Sequence, residues 1–72
     1  MIDIKVGDIV NFIGWIGKIT GIDGHLVSVY YRNGAWGTDG IIYRNDIIAV
    51  LGVNDREYRE FKAMEAMEAL DE

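Results

Sequence analysis

The sequence predicts a mainly β domain: a small five-stranded β-barrel followed by one C-terminal α-helix. Three observations predict it. Five short runs rich in β-branched and aromatic residues are separated by turns containing glycine, asparagine or aspartate. The chain contains no proline, so no run is barred from a central place in a sheet. Residues 54–72 lack glycine as well as proline and begin with a helix-capping pattern.

Gly7-Asp8 turns into the first run, Ile9-Val10-Asn11-Phe12-Ile13. Strand alternation places Val10 and Phe12 on one face, taken as the inner one, with Ile9, Asn11 and Ile13 on the other. Gly14 permits a sharp reversal into a second strand over residues 15–22, where an unbroken period of two sets Trp15, Gly17, Ile19 and Gly21 on one face. Asp23-Gly24 between β-branched runs predicts a hairpin with a type I′ turn, which requires positive φ at both central residues.

The third strand is expected over residues 25–31, with Val27, Val29 and Tyr31 facing away from Leu26, Ser28 and Tyr30. Residues 33–40, Asn-Gly-Ala-Trp-Gly-Thr-Asp-Gly, contain three glycines and are expected to form a loop that cannot hold a ladder throughout. A short fourth strand over residues 40–43, a tight Arg44-Asn45-Asp46 turn and a fifth strand over residues 47–51 complete the barrel.

Asn54 is positioned to cap the helix, with Glu57 three residues later as a capping-box partner. Tyr58, Phe61, Met64, Met67 and Leu70 recur every third residue, so their track drifts around a helix of 3.6 residues per turn. Tyr58, Phe61 and Met64 are expected to cover the barrel. Met67 and Leu70 are left to solvent or to a partner.

At 72 residues this is one domain, barrel residues 1–53 and helix residues 54–72, with a thin core. The absence of cysteine removes disulfides and thiolate zinc sites as sources of stability. The first residues lack the basic start and long apolar run of a secretion signal, and no run is long enough to span a bilayer, so a cytoplasmic location is expected. Net charge is −5, and residues 54–72, with three basic and seven acidic residues, hold −4 of it. The barrel is nearly neutral and the helix is acidic.

Gly7-Asp8-Ile9-Val10, Gly17-Lys18-Ile19, Val27-Ser28-Val29 and Asn45-Asp46-Ile47 together resemble the SH3-like barrels, including those of bacterial translation and transcription factors. The resemblance covers residues 5–52. It implies a strand started by Gly-Asp, a short helical turn before the last strand, and binding of peptides, nucleic-acid backbones or other domains through loops and an aromatic-lined face. The proportions also resemble a small prophage-encoded protein, which implies an accessory role without a known reaction.

Catalysis is not expected. His25 is the only histidine, no cysteine is present, and Ser28 has no sequence-level base paired to it. His25 with Asp23 supplies too few ligands for a metal, and the glycines of residues 33–40 do not precede a helix as a phosphate-binding loop requires. No cofactor is expected. Trp36 is singled out because a large aromatic in a glycine-rich loop either folds over the barrel mouth or buries against a partner. Tyr30, Arg32 and Tyr43 are expected to join it in one surface able to grip a peptide or stack bases.

A protein partner is the favoured reading. Nucleic acid is the alternative, opposed by a pI near 4.6. The acidic helix is read as a solvated face, or otherwise as a mimic of nucleic-acid phosphates or a dock for a basic protein. A monomer is expected.

Overall fold

The computed structural model describes residues 3–33 and 36–70, excluding the side chains of Asn33, Trp36, Glu68, Ala69 and Leu70. Strands β1 (Ile9–Phe12), β2 (Trp15–Asp23), β3 (Leu26–Asn33) and β4 (Trp36–Tyr43) are followed by a 3-10 turn (Arg44–Asp46), strand β5 (Ile47–Leu51) and helix α1 (Arg56–Leu70). The strands form one antiparallel sheet in the order β4-β3-β2-β1-β5. Among the described residues no ladder joins β4 to β5, so the sheet is unclosed. It still curls, because Val10 and Phe12 of β1, Ile19 of β2, Val27 and Val29 of β3 and Ile47 of β5 meet in one buried cluster, with Ile42 of β4 packed against it. The globule is compact, with a radius of gyration of 11.8 Å, as suits a small monomer.

Two turns make the first hairpins. Phe12 pairs with Trp15, and the two residues between them, Ile13 and Gly14, both have positive φ, 48° and 83°. Positive φ at both positions is the type I′ pattern, whose twist matches paired strands. Isoleucine is a poor occupant: its branched Cβ crowds the backbone there at a cost of about 1–2 kcal/mol. At the second hairpin Asp23 pairs with Leu26, so the loop is Gly24-His25, and only Gly24 has positive φ, 61°. The expected I′ turn on Asp23-Gly24 is therefore corrected to a turn of the II′ pattern one residue later, with glycine in its first central position.

Val10 and Phe12 do face the core, but the outer face of β1 is covered too. Ile9 is 1% exposed, and it shares that face with its cross-strand partner Lys18. Lys18 Nζ lies 3.3 Å from Glu65 Oε2 on α1. The helix therefore lies across the outer face of the sheet, against β2, and Phe61 is its buried anchor. Tyr58 and Met64 are half-buried and Met67 is exposed, as the drifting track predicts; the side chain of Leu70 lies outside the described residues.

The register of β2 differs from the period-two expectation. Ile19 pairs with Val29 but Gly21 pairs with Ser28, leaving Thr20 as an extra residue. This bulge moves Gly21 off the face of Gly17 and Ile19 and lets Ile22 pack against the core. The fourth strand is longer than expected: Trp36–Tyr43 is paired from Asn33↔Trp36 to Leu26↔Tyr43. Glycine does not break the ladder because neighbouring aromatics cover it. Tyr30 lies over Gly37, where a Cβ would collide with its phenol, and Tyr31 lies over Gly40.

Aspartate closes three junctions in the same way. Asp8, Asp46 and Asp55 each accept from the backbone N–H three residues earlier, that of Lys5, Tyr43 and Gly52, at 2.9, 3.1 and 2.7 Å. The helix starts one residue later than Asn54 predicts, since Asp55 C=O accepts the first helical bond, from Arg59 N–H. Glu57 consequently sits at the second helical position rather than the third, out of capping-box register.

Candidate functional site

The sequence-predicted surface is only partly assembled. Leu26, Ser28, Tyr30 and Arg32 alternate onto the outer face of β3, opposite Tyr43, Ile41, Asp39 and Gly37 of β4. Tyr30 and Arg32 are therefore neighbours on one face, and both are half-buried. Tyr43 opposes Leu26, six residues along β3 from Arg32, which is about 20 Å in an extended strand. It lines a different hollow with His25, Arg44, Asn45 and Asp46. Trp36 is placed in β4 rather than in a loop, and its side chain lies outside the described residues.

Arg32 instead joins residues outside the sequence-predicted surface. A cleft of about 260 Å³ runs between the first hairpin and α1, walled by Trp15 and Ile16 on one side and Phe61 and Met64 on the other. Among the described residues Arg32 is the one basic side chain along its lining, and Glu57 and Glu60 stand on the helical rim. Glu60 is held by Arg56, with Nε to Oε1 at 2.9 Å across one helical turn.

Trp15 has a second side. It meets Tyr31 edge-on at 5.6 Å between ring centroids, and Tyr31 meets Phe12 edge-on at 5.7 Å. These rings border a hollow, also about 260 Å³, completed by Ile13, Ile41 and Ile42. Trp15 is thus the partition between two grooves, and at 38% exposure it is open to both. Its place follows from register. As the first residue of β2 it points to the core face, but at the rim, where the core no longer covers it. The signal available in the sequence was its position directly after the Ile13-Gly14 reversal.

Among the described residues no group of three or more histidine, cysteine or acidic residues is placed to hold a metal ion. No helix among them is long and apolar enough to cross a membrane. No family model, curated protein or solved structure matches this chain.

Proposed function

We propose that this chain is a non-catalytic interaction module that binds a protein partner through the cleft between the first hairpin and α1. The observation that carries the reading is Trp15, a tryptophan 38% exposed in a chain with so small a core, facing Phe61 and Met64 across a groove that also holds Arg32. Tryptophan and arginine in a partly desolvated cleft are the residue types that dominate protein interfaces. Tyr30 extends the same face from Arg32.

Charge favours protein over nucleic acid. The helix that forms one wall belongs to the segment holding −4 of the net charge, and Glu57 and Glu60 stand on the rim, so a polyanion is repelled where it would have to enter. The reading of the whole as an SH3-like barrel is supported by the 3-10 turn between β4 and β5 and by the curl of the sheet around one core. A cytoplasmic accessory role like that of the prophage protein YorP rests on the sequence resemblance alone.

The test is capture of partners from a host lysate by the full chain, compared with Trp15→Ala and Arg32→Ala, each shown by NMR to keep the fold. Loss of a specific partner in both variants supports the proposal. Unchanged capture by both overturns it, and capture of single-stranded nucleic acid that fades with salt replaces it with the alternative.

A further inference from the structure

Arg44 is a half-buried cation that none of the described residues neutralises. Lys18, Arg56 and Lys62 each meet a carboxylate, and Lys5 and Arg59 stand exposed in water. The Arg44 guanidinium has neither an ion pair nor a hydrogen bond with the described residues, and its Nε is shut off from solvent without an acceptor. Burial has removed part of its hydration and nothing has replaced it, so an anion that reaches it is stabilising.

The side chain lines a hollow of about 480 Å³ between the second hairpin and the 3-10 turn, together with His25, Tyr43, Asn45 and Asp46. Arg44 N–H donates to the His25 carbonyl at 2.8 Å, so the fold ties the two loops together. The volume is that of a small-molecule site. Arg44, His25, Asn45 and the Tyr43 hydroxyl can each donate a hydrogen bond to an oxyanion. Among the described residues Asp46 is the one carboxylate of the lining, and its Oδ2 accepts from Tyr43 N–H at 3.1 Å, closing the turn rather than pairing with Arg44. Tyr43 is 63% exposed and meets no other ring or cation among the described residues, so its phenol is open to a planar ligand.

We propose that this hollow binds a small phosphate monoester carrying an aromatic ring, with the phosphate on Arg44 and the ring against Tyr43. Rotation of the guanidinium brings Nε and one Nη to two phosphate oxygens in the bidentate geometry arginine favours, and the third oxygen accepts from His25 or Asn45. A carboxylate has two oxygens, both taken by Arg44, which leaves the other donors unused. The site is separate from the proposed partner cleft, since Tyr43 lies about 20 Å along β3 from Arg32. That is more than two Debye lengths at physiological salt, about 8 Å each, so the acidic rim of the cleft does not exclude a single phosphate group.

The experiment is an NMR titration of the full chain with phenyl phosphate, inorganic phosphate, benzoate and phenol at constant pH and ionic strength. The expected result is saturable shifts at His25, Tyr43, Arg44 and Asn45, with a dissociation constant on the order of 1 mM for phenyl phosphate and at least about fivefold weaker binding of the other three. Arg44→Gln should weaken phenyl phosphate at least about tenfold. Tyr43→Leu should weaken it at least about fivefold while leaving inorganic phosphate unchanged. Phenyl phosphate should also raise the melting temperature of the parent and not that of Arg44→Gln, a comparison that holds whatever the variant's own stability. No saturable shift below about 30 mM overturns the inference. So does benzoate binding as tightly as phenyl phosphate, equal affinity in Arg44→Gln, or shifts centred on α1.

Discussion

Gly17 and Gly21 lie in the same strand, and replacing each with alanine should move stability in opposite directions. By propensity alone both changes stabilise, because alanine restricts the unfolded chain by about 0.4–1 kcal/mol. At Gly17 a Cβ would stand 2.8 Å from Phe12 Cε1, 3.1 Å from the Tyr30 carbonyl oxygen and 3.1 Å from Tyr31 Cβ. Two of those three atoms are fixed by the backbone, and the Phe12 ring, 4% exposed, is held edge-on against Tyr31. Overpacking of this kind costs about 1–3 kcal/mol, so the net loss is about 1–2 kcal/mol. At about 4–8 °C per kcal/mol for a domain of this size, the midpoint falls by roughly 5–15 °C. At Gly21 the nearest atoms are Ser28 Cβ and Oγ, both 3.7 Å away, and φ is not in the left-handed region. Alanine fits there, and the midpoint should rise by a few degrees. Thermal and urea unfolding followed by circular dichroism measure both variants. If Gly17→Ala is as stable as the parent, or if the two variants shift together, the register and the close approach argued here are wrong.

Other substitutions probe the remaining contacts. Phe61, 3% exposed, is the helix's one buried residue among those described; Phe61→Ala should cost about 3 kcal/mol, a large share of the stability of a chain this size. A helix of 15 residues is marginal without its packing, so the far-ultraviolet helical signal should fall along with the unfolding midpoint in urea. Asp55→Ala removes the acceptor for Gly52 N–H and should cost about 1 kcal/mol, whereas Asp55→Asn keeps an acceptor and should lose less in the same urea measurement. Lys18 and Glu65 are each about a third exposed, so Lys18→Met should change stability by less than about 1 kcal/mol, and a double-mutant cycle with Glu65→Gln would expose any larger coupling.

The parts of this protein legible in its sequence are those set by local rules. Strand alternation identified Val10 and Phe12 as core and set Val27 and Val29, both buried, on one face, Ile47–Leu51 was bounded by the turn before it, and the start of the helix was placed to within two residues of Arg56. The balance of charge between the strand-forming part and the helix was likewise a property of composition. Local rules failed where a distant residue decided. The ladder runs through Gly37 and Gly40 because tyrosines from the neighbouring strand cover them, and no window of sequence around those glycines contains Tyr30 and Tyr31 in register. The bulge at Thr20 split Gly17 from Gly21 because β3 offered one residue fewer than β2.

The candidate site divides in the same way. Arg32 and Tyr30 were found because they share a strand face, which period two dictates. Tyr43 was grouped with them by residue type, and antiparallel pairing carried it to the far end of the ribbon. Composition and alternation by themselves determined a mainly β chain with one acidic C-terminal helix. Only the tertiary structure decided that the helix crosses the outer face, that Trp15 divides two grooves, and that Ile13 is held strained and exposed beside one of them. Each of those depends on which residues far apart in the chain come to lie together, and that follows from strand register and sheet curl rather than from any residue's neighbours in sequence.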